Sequence, residues 1–242
     1  MLTFQLKYVI IILLQKKGLV YMNNILKSNR KHDMTQEKII NRFLLEKFFL
    51  KINKSSKLID DRNLQIAGVD LQLDSNKLLK TLNIDIKAQS SAKYINSPRP
   101  TFLLELSSIN KYGEDFIGWF LNPKIITDYY AFVWMHEVDT NDPTELFGYP
   151  QIKKVEIMLV SREKIKEYVL GLLHKNGYDD VSPIVNQMRD TETTRIPLVD
   201  GIHFSHTPTL YEKPVNLVVH KRILKKFASL HYYVYQDKIV KI

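Results

Sequence analysis

The stretch Ile66–Gln89, IAGVDLQLDSNKLLKTLNIDIKAQ, carries the clearest structural signal in this 242-residue chain. Apolar and polar residues alternate over Ile66–Leu73 and again over Leu82–Gln89. A period of two is typical of strands that bury one face. The residues Asp74–Asn76 between them favour a turn. The stretch therefore predicts two neighbouring strands, each with one apolar and one polar face.

The polar faces of these two strands carry an unusual set of charges. If the strands are antiparallel and their connection centres near Lys77 and Leu78, Asp70 lies opposite Asp85. Both carboxylates then project from the same face, with Lys87 one pleat further along. Like charges directly opposite each other destabilise a sheet. The pattern therefore predicts a cation between the two carboxylates.

The chemistry of such a site follows from its residue types. Two carboxylates suit Mg²⁺, which takes oxygen ligands and keeps several waters. A bound ion of this kind polarises a phosphodiester and lowers the pKa of a bound water. Lys87 is placed to orient that water or to stabilise the charge that grows on the phosphate. Gln89, on the same face, is a candidate for holding the substrate or the lysine.

A simpler interpretation of the same residues stays open. An Asp-x-Lys triplet is a weak signal alone, although Asp85-Ile86-Lys87 is the only Asp/Glu-x-Lys match in this chain. Asp70 and Lys87 are also what an exposed sheet face would carry, for example as a cross-strand ion pair.

The wider arrangement of these residues resembles a known family. Gly68-Val69-Asp70, followed fifteen positions after Asp70 by Asp85-Ile86-Lys87-Ala88-Gln89, is similar to the PD-(D/E)XK nuclease superfamily, and to a group of small phage and mobile-element proteins within it. Val69 stands where the superfamily pattern has Pro. The resemblance extends from about Met34 to Leu230. Further stretches that are similar to that group are Tyr94-Ile95-Asn96, Thr101-Phe102, Gly118-Trp119, Thr127-Asp128-Tyr129-Tyr130 and Glu212-Lys213-Pro214-Val215-Asn216-Leu217-Val218.

The resemblance implies a fold, an activity and roles for individual residues. The expected fold is an α/β (α+β) restriction-endonuclease-like core, α-β-β-β-α-β, with a mixed sheet flanked by helices. Asp70 and Asp85 become ligands of Mg²⁺ or Mn²⁺, and Lys87 becomes the catalytic lysine. An acidic residue on the first helix often assists, and Glu37 is the candidate, with Glu46 behind it. The expected activity is that of an endodeoxyribonuclease of phage or restriction/defence type, compatible with a homodimer.

Periodicity and breaker residues predict the remaining elements. Asp33 and Gln36 are placed to form a capping box at the start of the first helix. The predicted elements are a helix over Met34–Lys51, a loop over Asn53–Asn63, a strand over Thr101–Leu106, a β-rich stretch beyond Gly118 that contains Trp119–Leu121 and then the strand Tyr129–Met135, strands over Val155–Val160 and Val215–Val219, a helix over Ser161–Leu173, an irregular segment over 176–214, and a basic helix over His220–Leu230.

Composition narrows the class of protein only moderately. The chain has no cysteine, which excludes disulfides, thiolate zinc sites and cysteine nucleophiles. The formal net charge of +9 favours a polyanionic partner such as DNA. Residues 1–33 contribute +5 of that charge, so the remainder carries only +4 and a weak preference for nucleic acid. The eight glycines form no phosphate-binding loop.

The first 33 residues are expected to be an accessory segment or an over-extended start, followed by a single domain over 34–242. The apolar run Tyr8–Leu14 is far shorter than the roughly 20 residues that a membrane span requires. It also lacks the small-residue cleavage site of a secretory signal. We therefore expect a cytoplasmic protein without stable membrane insertion, and a peripheral membrane tether is a minor alternative.

Most of the other histidines and aromatic residues that stand out in the sequence are expected to have structural roles. His203 and His206 near Asp200 are better explained as a polar loop than as metal ligands. The cations of the segment His220–Lys226 fit a phosphate-tracking surface and a solvated helix face equally well. The tyrosines Tyr232, Tyr233 and Tyr235, and the tryptophans Trp119 and Trp134, are expected to be structural. A catalytically silent nucleic-acid-binding or assembly protein of the same fold is the main alternative function.

Overall fold

A computed structural model describes residues 34–75, 80–110, 112–142 and 144–242 of the chain. The predicted accessory segment 1–33, including Asp33, lies outside these ranges. Within them, no helix has both the length and the apolar character needed to cross a membrane.

The first helix, α1, occupies residues 34–52 and contains a π-helical turn at Leu45–Phe49. Its apolar positions Ile40, Phe43, Leu44, Phe48 and Phe49 are fully buried, as the predicted broad apolar face requires. The other helices are α2 (Arg62–Ile66), α3 (Arg162–Lys175), α4 (Ser182–Asp190) and α5 (Lys221–Leu224).

In the described part of the chain, the strands form two sheets. The first has seven strands in the order β1-β2-β3-β6-β7-β11-β12, and the second has five in the order β5-β4-β10-β9-β8. The bounds are β1 Lys57–Leu58, β2 Leu71–Ser75, β3 Lys80–Ala88, β4 Thr101–Ile109, β5 Asp115–Ile117, β6 Tyr129–Val138, β7 Ile152–Ser161, β8 Arg195–Val199, β9 Ile202–His206, β10 Val215–His220, β11 Ala228–Tyr235 and β12 Ile239–Lys241.

The first sheet is mixed, as predicted. Its strands β2 and β3 are antiparallel, whereas β3 and β6 are parallel, with Asp85 beside Tyr130 and Lys87 beside Phe132. The strands β6 and β7 are again antiparallel. The protein is therefore of the α+β class, with two sheets flanked by helices.

Strand β6 separates two hydrophobic cores. Tyr130, Phe132 and Trp134 face the core between the two sheets, which α3 and α4 also enter. Ala131 and Val133 face the core beneath α1. This central, doubly covered strand is the one that the uninterrupted apolar run Tyr129–Met135 predicts.

Most of the strongly patterned elements are confirmed. The first helix, the Leu82–Gln89 strand, the Val155–Val160 strand and the Val215–Val219 strand are present with bounds shifted by a few residues. Helix α3 is also confirmed, and the Ser161 hydroxyl accepts the backbone N–H of Lys164 at 3.4 Å, as its predicted cap.

The third predicted strand forms, but in a different sheet. Thr101–Ile109 pairs with β10 in the second sheet and not with the strands that carry Asp70 and Asp85. Strand β3 pairs with β2 on one side and with β6 on the other. The Gln89 N–H extends the pairing with β6 by donating to the Val133 carbonyl at 2.9 Å. A single sheet was therefore too simple an expectation.

The irregular segment predicted over 176–214 is wrong, because it contains α4, β8 and β9. Prolines suggested irregular structure there, but Pro183 lies in the first turn of α4 and Pro197 lies on the sheet-edge strand β8, which are positions that proline tolerates. The hairpin between β8 and β9 turns at Gly201, whose φ is +82°.

Three shorter predictions are also corrected. Trp119–Leu121 is a turn and not a strand, and helix α2 occupies the start of the predicted Ile66–Leu73 strand. The basic helix ends at Leu224, because the chain beyond Ala228 pairs with β7 as strand β11. The Gln36 amide bonds to the backbone N–H and C=O of Phe147 at 3.2 and 3.3 Å, and its predicted capping partner Asp33 lies outside the described residues.

Candidate active site

The β2–β3 hairpin brings Asp70 next to Asp85. Leu71 pairs with Ile84 at the start of β2, and Asp70, the residue before Leu71, lies close enough to Asp85 on β3 for that carboxylate to raise its pKa. The Asp70 N–H donates to the Ile84 carbonyl at 2.9 Å. The Asp70 Oδ2 accepts the backbone N–H of Ile86 at 2.7 Å, so its side chain continues the hydrogen bonding between the strands.

The turn before Asp70 depends on a glycine. Gly68 has a φ of +80°, and a Cβ at this position would lie 2.7 Å from Thr127 Oγ1 and 2.9 Å from Ile125 Cγ2. The Thr127 hydroxyl donates to the Gly68 carbonyl. The next residue, Asp128, accepts the Asn83 N–H of β3 at 2.9 Å. The segment before β6 thus fixes both strands of the hairpin.

Lys87 is held between a carboxylate and an indole ring. Its Nζ lies 2.8 Å from Asp85 Oδ1 and 4.7 Å from the centre of the Trp119 ring. Asp85 is 3% exposed, whereas the Lys87 side chain is 30% exposed and reaches the surface. A cation over an aromatic face is attracted by the ring quadrupole, so Trp119 restricts the position of the ammonium group.

Burial and the charge of Asp85 raise the pKa of Asp70 to about 7, and the Ile86 N–H and Lys87 oppose this shift. Burial lowers the pKa of Lys87, but the attraction of Asp85 and Asp70 outweighs burial and leaves that pKa above its usual value. The site therefore keeps a charged lysine beside a carboxyl that gives up its proton with difficulty.

Glu37 lies within electrostatic range of this group. Its charge is the smallest of the influences that raise the pKa of Asp70 and of Lys87, although it occupies an exposed position of α1. The reserve candidate Glu46 instead forms an exposed ion pair with Arg42 at 2.9 Å. Glu37 is thus the residue of the first helix that the structure relates to the site.

The Gln89 side chain forms hydrogen bonds with backbone groups of the segment that follows β3. The side chain is 8% exposed; its Nε2 donates to the carbonyls of Arg99 and Thr101 at 3.0 and 2.6 Å, and its Oε1 accepts the Arg99 N–H at 2.9 Å. These bonds fix the start of β4 beside the end of β3. Gln89 is therefore a positioning residue, and the predicted contact with Lys87 or substrate is not among its contacts with described residues.

Sequence reasoning missed two neighbours of Lys87. Trp119 was expected to be purely structural, yet its half-buried ring contacts the lysine. Glu105 on β4 has its pKa raised by burial and by Glu212, and Lys87 opposes that shift, which places this carboxyl near the lysine. The motif Gly118-Trp119 was the available signal, since a Cβ at Gly118 would collide with the Glu105 backbone.

The donor set of the site suits a hard cation such as Mg²⁺. The carboxyls of Asp70, just before β2, and Asp85 on β3 lie close together, and a nearby positive charge would favour the ionisation that Asp70 resists. Within the described ranges, no group of three or more His, Asp or Glu side chains is arranged to hold a metal. Asp70 and Asp85 are the two residues of this site that could hold such an ion.

The other candidate residues are placed as follows. His203 and His206 lie on strand β9 and not in the predicted loop, and His206 is buried. Lys221 contacts the buried Glu156 at 2.7 Å, and Arg222 pairs with the exposed Asp200. The C-terminal tyrosines lie half-buried on strand β11, as predicted.

In comparisons with known proteins, no family model, curated protein or solved structure matches this chain. The site combines the half-buried Asp70, just before β2, with the buried Asp85 and with Lys87 on β3, within an α+β fold.

Proposed function

We propose that this protein is a metal-dependent nuclease with a restriction-endonuclease-like core, acting as an endodeoxyribonuclease of phage or restriction/defence type. The observation that carries the proposal is the proximity of Asp70, just before β2, to Asp85 and Lys87 on β3. Like-charged carboxylates in a buried site are unfavourable without a cation. A bound metal ion would offset the repulsion between the two carboxylates.

The strand order supports the same proposal. Helix α1 precedes β1, β2 and β3, and the next strand of that sheet, β6, runs parallel to β3. The order differs from the expected α-β-β-β-α-β core in three respects. Helix α2 lies between β1 and β2, the predicted third strand lies in the second sheet as β4, and no α-helix lies between β3 and β6 among the described residues. The chain between β3 and β6 passes instead through β4 and β5 of the second sheet.

The residues divide the chemistry among them. Asp70 and Asp85 would hold the Mg²⁺, which when bound polarises a phosphodiester and makes water a better nucleophile. Lys87 keeps its proton, shares one N–H with Asp85 and can direct another toward a phosphate oxygen that gains charge. Trp119 limits where that ammonium can lie. Gln89 supports the strand ends, and Glu37 adds negative charge nearby.

The second candidate is a catalytically silent nucleic-acid-binding or assembly protein. The Lys87–Asp85 contact at 2.8 Å favours it, because the lysine already neutralises one carboxylate without a metal. The two candidates differ in metal binding, which a silent protein does not require.

Cleavage of plasmid and oligonucleotide DNA with Mg²⁺ or Mn²⁺ tests the first proposal. We expect cutting by the wild type, with loss of at least about a hundredfold in Asp85→Asn and Lys87→Ala. Asp74→Asn is the matched control, because Asp74 lies on the same hairpin but is exposed and accepts a hydrogen bond from Thr81 at 2.9 Å.

Calorimetric titration with Mn²⁺ separates the outcomes when no DNA is cut. If Asp85→Asn abolishes Mn²⁺ binding and Asp74→Asn retains it, the result would support a metal site at Asp85. The enzyme would then act on a substrate other than the DNA that was tested. Absence of binding by the wild type would reject the nuclease proposal in favour of the silent protein.

A further inference from the structure

The outer face of the second sheet contains an open cavity of about 660 Å³, lined in part by Arg195, His203, His220 and Arg222. Strand β9 places Ile202 and Phe204 in the core between the sheets, so His203, between them, faces outward. His203 pairs with Pro197 on β8 and with Val218 on β10. The cavity is thus built on three neighbouring strands and lies on the opposite face from the core.

Positive charge dominates this cavity. Two guanidinium groups share the cavity with a single carboxylate, Asp200, and the imidazoles of His203 and His220 complete its polar lining. The Asp200 side chain is 87% exposed and pairs with Arg222, whose side chain is 51% exposed. Exposed pairs of this kind contribute little stability, so an incoming anion can replace Asp200 at low cost. None of the ion pairs among the described residues involves Arg195.

The backbone arranges Arg222 and His220 around the turn at Gly201. The His220 N–H donates to the Gly201 carbonyl at 2.9 Å. A Cβ at position 201 would lie 3.1 Å from Arg222 Nη2, so glycine allows the guanidinium to lie close to the turn. The His220 Nδ1 accepts the Arg222 N–H at 3.2 Å. A neutral His220 therefore carries its proton on Nε2, as a donor.

The positive charge of Arg195 affects the protonation of His203 inside the cavity. Burial lowers the pKa of His203, and the charge of Arg195 lowers it further. A ligand that suits this cavity carries negative charge, which balances the two arginines, and has several oxygens that accept hydrogen bonds from their guanidinium groups. Phosphate fits best, because arginine forks match its geometry and form charge-assisted hydrogen bonds with it.

We infer that this cavity is a phosphate-binding pocket, in which Arg195 and Arg222 bind the phosphate oxygens and His220 donates a further hydrogen bond. The pocket is a separate site from the Asp70–Asp85 pair, and its existence does not depend on the proposed nuclease activity. The phosphate belongs either to a nucleic-acid backbone or to a small phosphorylated molecule.

Titration of the wild-type protein with inorganic phosphate, followed through the imidazole nitrogen signals in NMR, tests the pocket. We expect saturable shifts of His203 and His220, and none when sodium chloride is added to the same ionic strength. His136 and His231, both bonded to the buried Glu156, serve as internal controls and should not shift. Absence of saturable shifts at His203 and His220 would overturn the inference without the need for any variant.

Two double variants separate a built pocket from general charge. Arg195→Ala/Arg222→Ala should weaken phosphate binding about tenfold or more, because it removes both forks. Lys225→Ala/Lys226→Ala removes the same charge from exposed positions outside the cavity lining and should change binding less than about twofold. Equal losses in both variants would contradict a built pocket. Thermal melts check that both variants fold.

The source of the phosphate is identified with fluorescent oligonucleotides in metal-free buffer. If the arginine variant loses more oligonucleotide affinity than the lysine variant, the pocket binds the phosphodiester backbone. If the two variants bind oligonucleotide equally and only the arginine variant loses phosphate, the pocket serves a small phosphorylated molecule. The Asp85→Asn variant should behave as the wild type in the phosphate titration, which separates this site from the proposed cleavage site.

Discussion

Asp70 retains its proton over much of the acidic range, because burial and the nearby Asp85 raise its pKa to about 7. In the unfolded chain the same carboxyl has a pKa near 3.8. Between these two values the folded state binds the extra proton. Its stability therefore decreases as the pH rises from about 4 to about 7, and the loss is complete above that range.

Asp70→Asn should remove this penalty. The amide oxygen can still accept the Ile86 N–H, and the side chain no longer ionises. In metal-free urea unfolding at pH 8, we expect the variant to be more stable than the wild type by about 2 kcal/mol. The difference should disappear below pH 4. Asp74→Asn should show no such pH dependence, and equal stabilisation at both pH values would contradict the explanation.

The same carboxyl should make metal binding depend on pH. A metal at Asp70 competes with its proton, so Mn²⁺ affinity should increase about tenfold per pH unit below pH 7 and level off above it. Calorimetry in two buffers of different ionisation enthalpy measures the proton released, which should approach one at pH 6. Affinity that does not change between pH 6 and 8 would exclude Asp70 as a ligand.

Residue roles were predictable only where local pattern determines them. The alternation over Leu82–Gln89 predicted the common face of Asp85 and Lys87 on β3, and Asp70 lies near them just before β2 begins. Nothing local distinguished Gln89 as a residue that binds backbone, since its partners come from the chain after β3. Trp119 reaches Lys87 from a turn that follows another sheet, and such long-range contacts leave no periodic signal.

At the level of elements, the turn between α2 and β2 determines where Asp70 enters the sheet. Gly68→Ala should destabilise the protein by about 3 kcal/mol, because it adds both backbone strain and a collision with Thr127 and Ile125. Gly177→Ala is the matched control: its φ is +81°, but nothing lies within 4 Å of the added Cβ. We expect that variant to lose only about 1 kcal/mol.

Chemical denaturation of the two glycine variants measures the difference. Similar losses would mean that the φ angle alone matters at both sites, and that the Thr127 contact is easily rearranged. A selective loss at position 68 would show that the segment before β6 packs tightly against the hairpin.

The elements themselves were predictable to different degrees. Long periodic runs such as α1, β3 and β6 were identified because burial imposes their pattern. The sequence did not predict the strands β8 and β9. A proline on a sheet-edge strand, such as Pro197, or in the first turn of a helix, such as Pro183, cannot be distinguished in the sequence from a proline in a loop. The choice of sheet for β4 depends on β6 occupying the edge of β3, which no local pattern reveals.

At the level of the whole molecule, Glu156 joins distant parts of the chain. This 2% exposed carboxylate on β7 bonds to His136 of β6 and His231 of β11 at 2.7 and 2.8 Å, and to Lys221 of α5 at 2.7 Å. Burial alone would raise its pKa, but these three hydrogen bonds reverse the shift and lower the pKa to about 2.

Glu156→Gln should therefore reduce the free energy of unfolding by about 3 kcal/mol at pH 7. The folded pKa lies below the unfolded value of 4.5, so this contribution is complete above pH 4.5 and is lost as the pH falls toward 2. Urea unfolding at pH 7 and pH 3 measures the difference. Glu137→Gln, at an exposed position of β6, should have little effect at either pH, and a loss in Glu156→Gln that does not depend on pH would contradict the ionic explanation.

Strand β6 also has a consequence for how the molecule loses its structure. Alternate residues of this one strand complete the core between the sheets and the core beneath α1. Neither core can come apart while the other keeps its packing, because the same backbone segment would have to leave both. The two halves should therefore melt together in one cooperative transition, as a single thermodynamic unit.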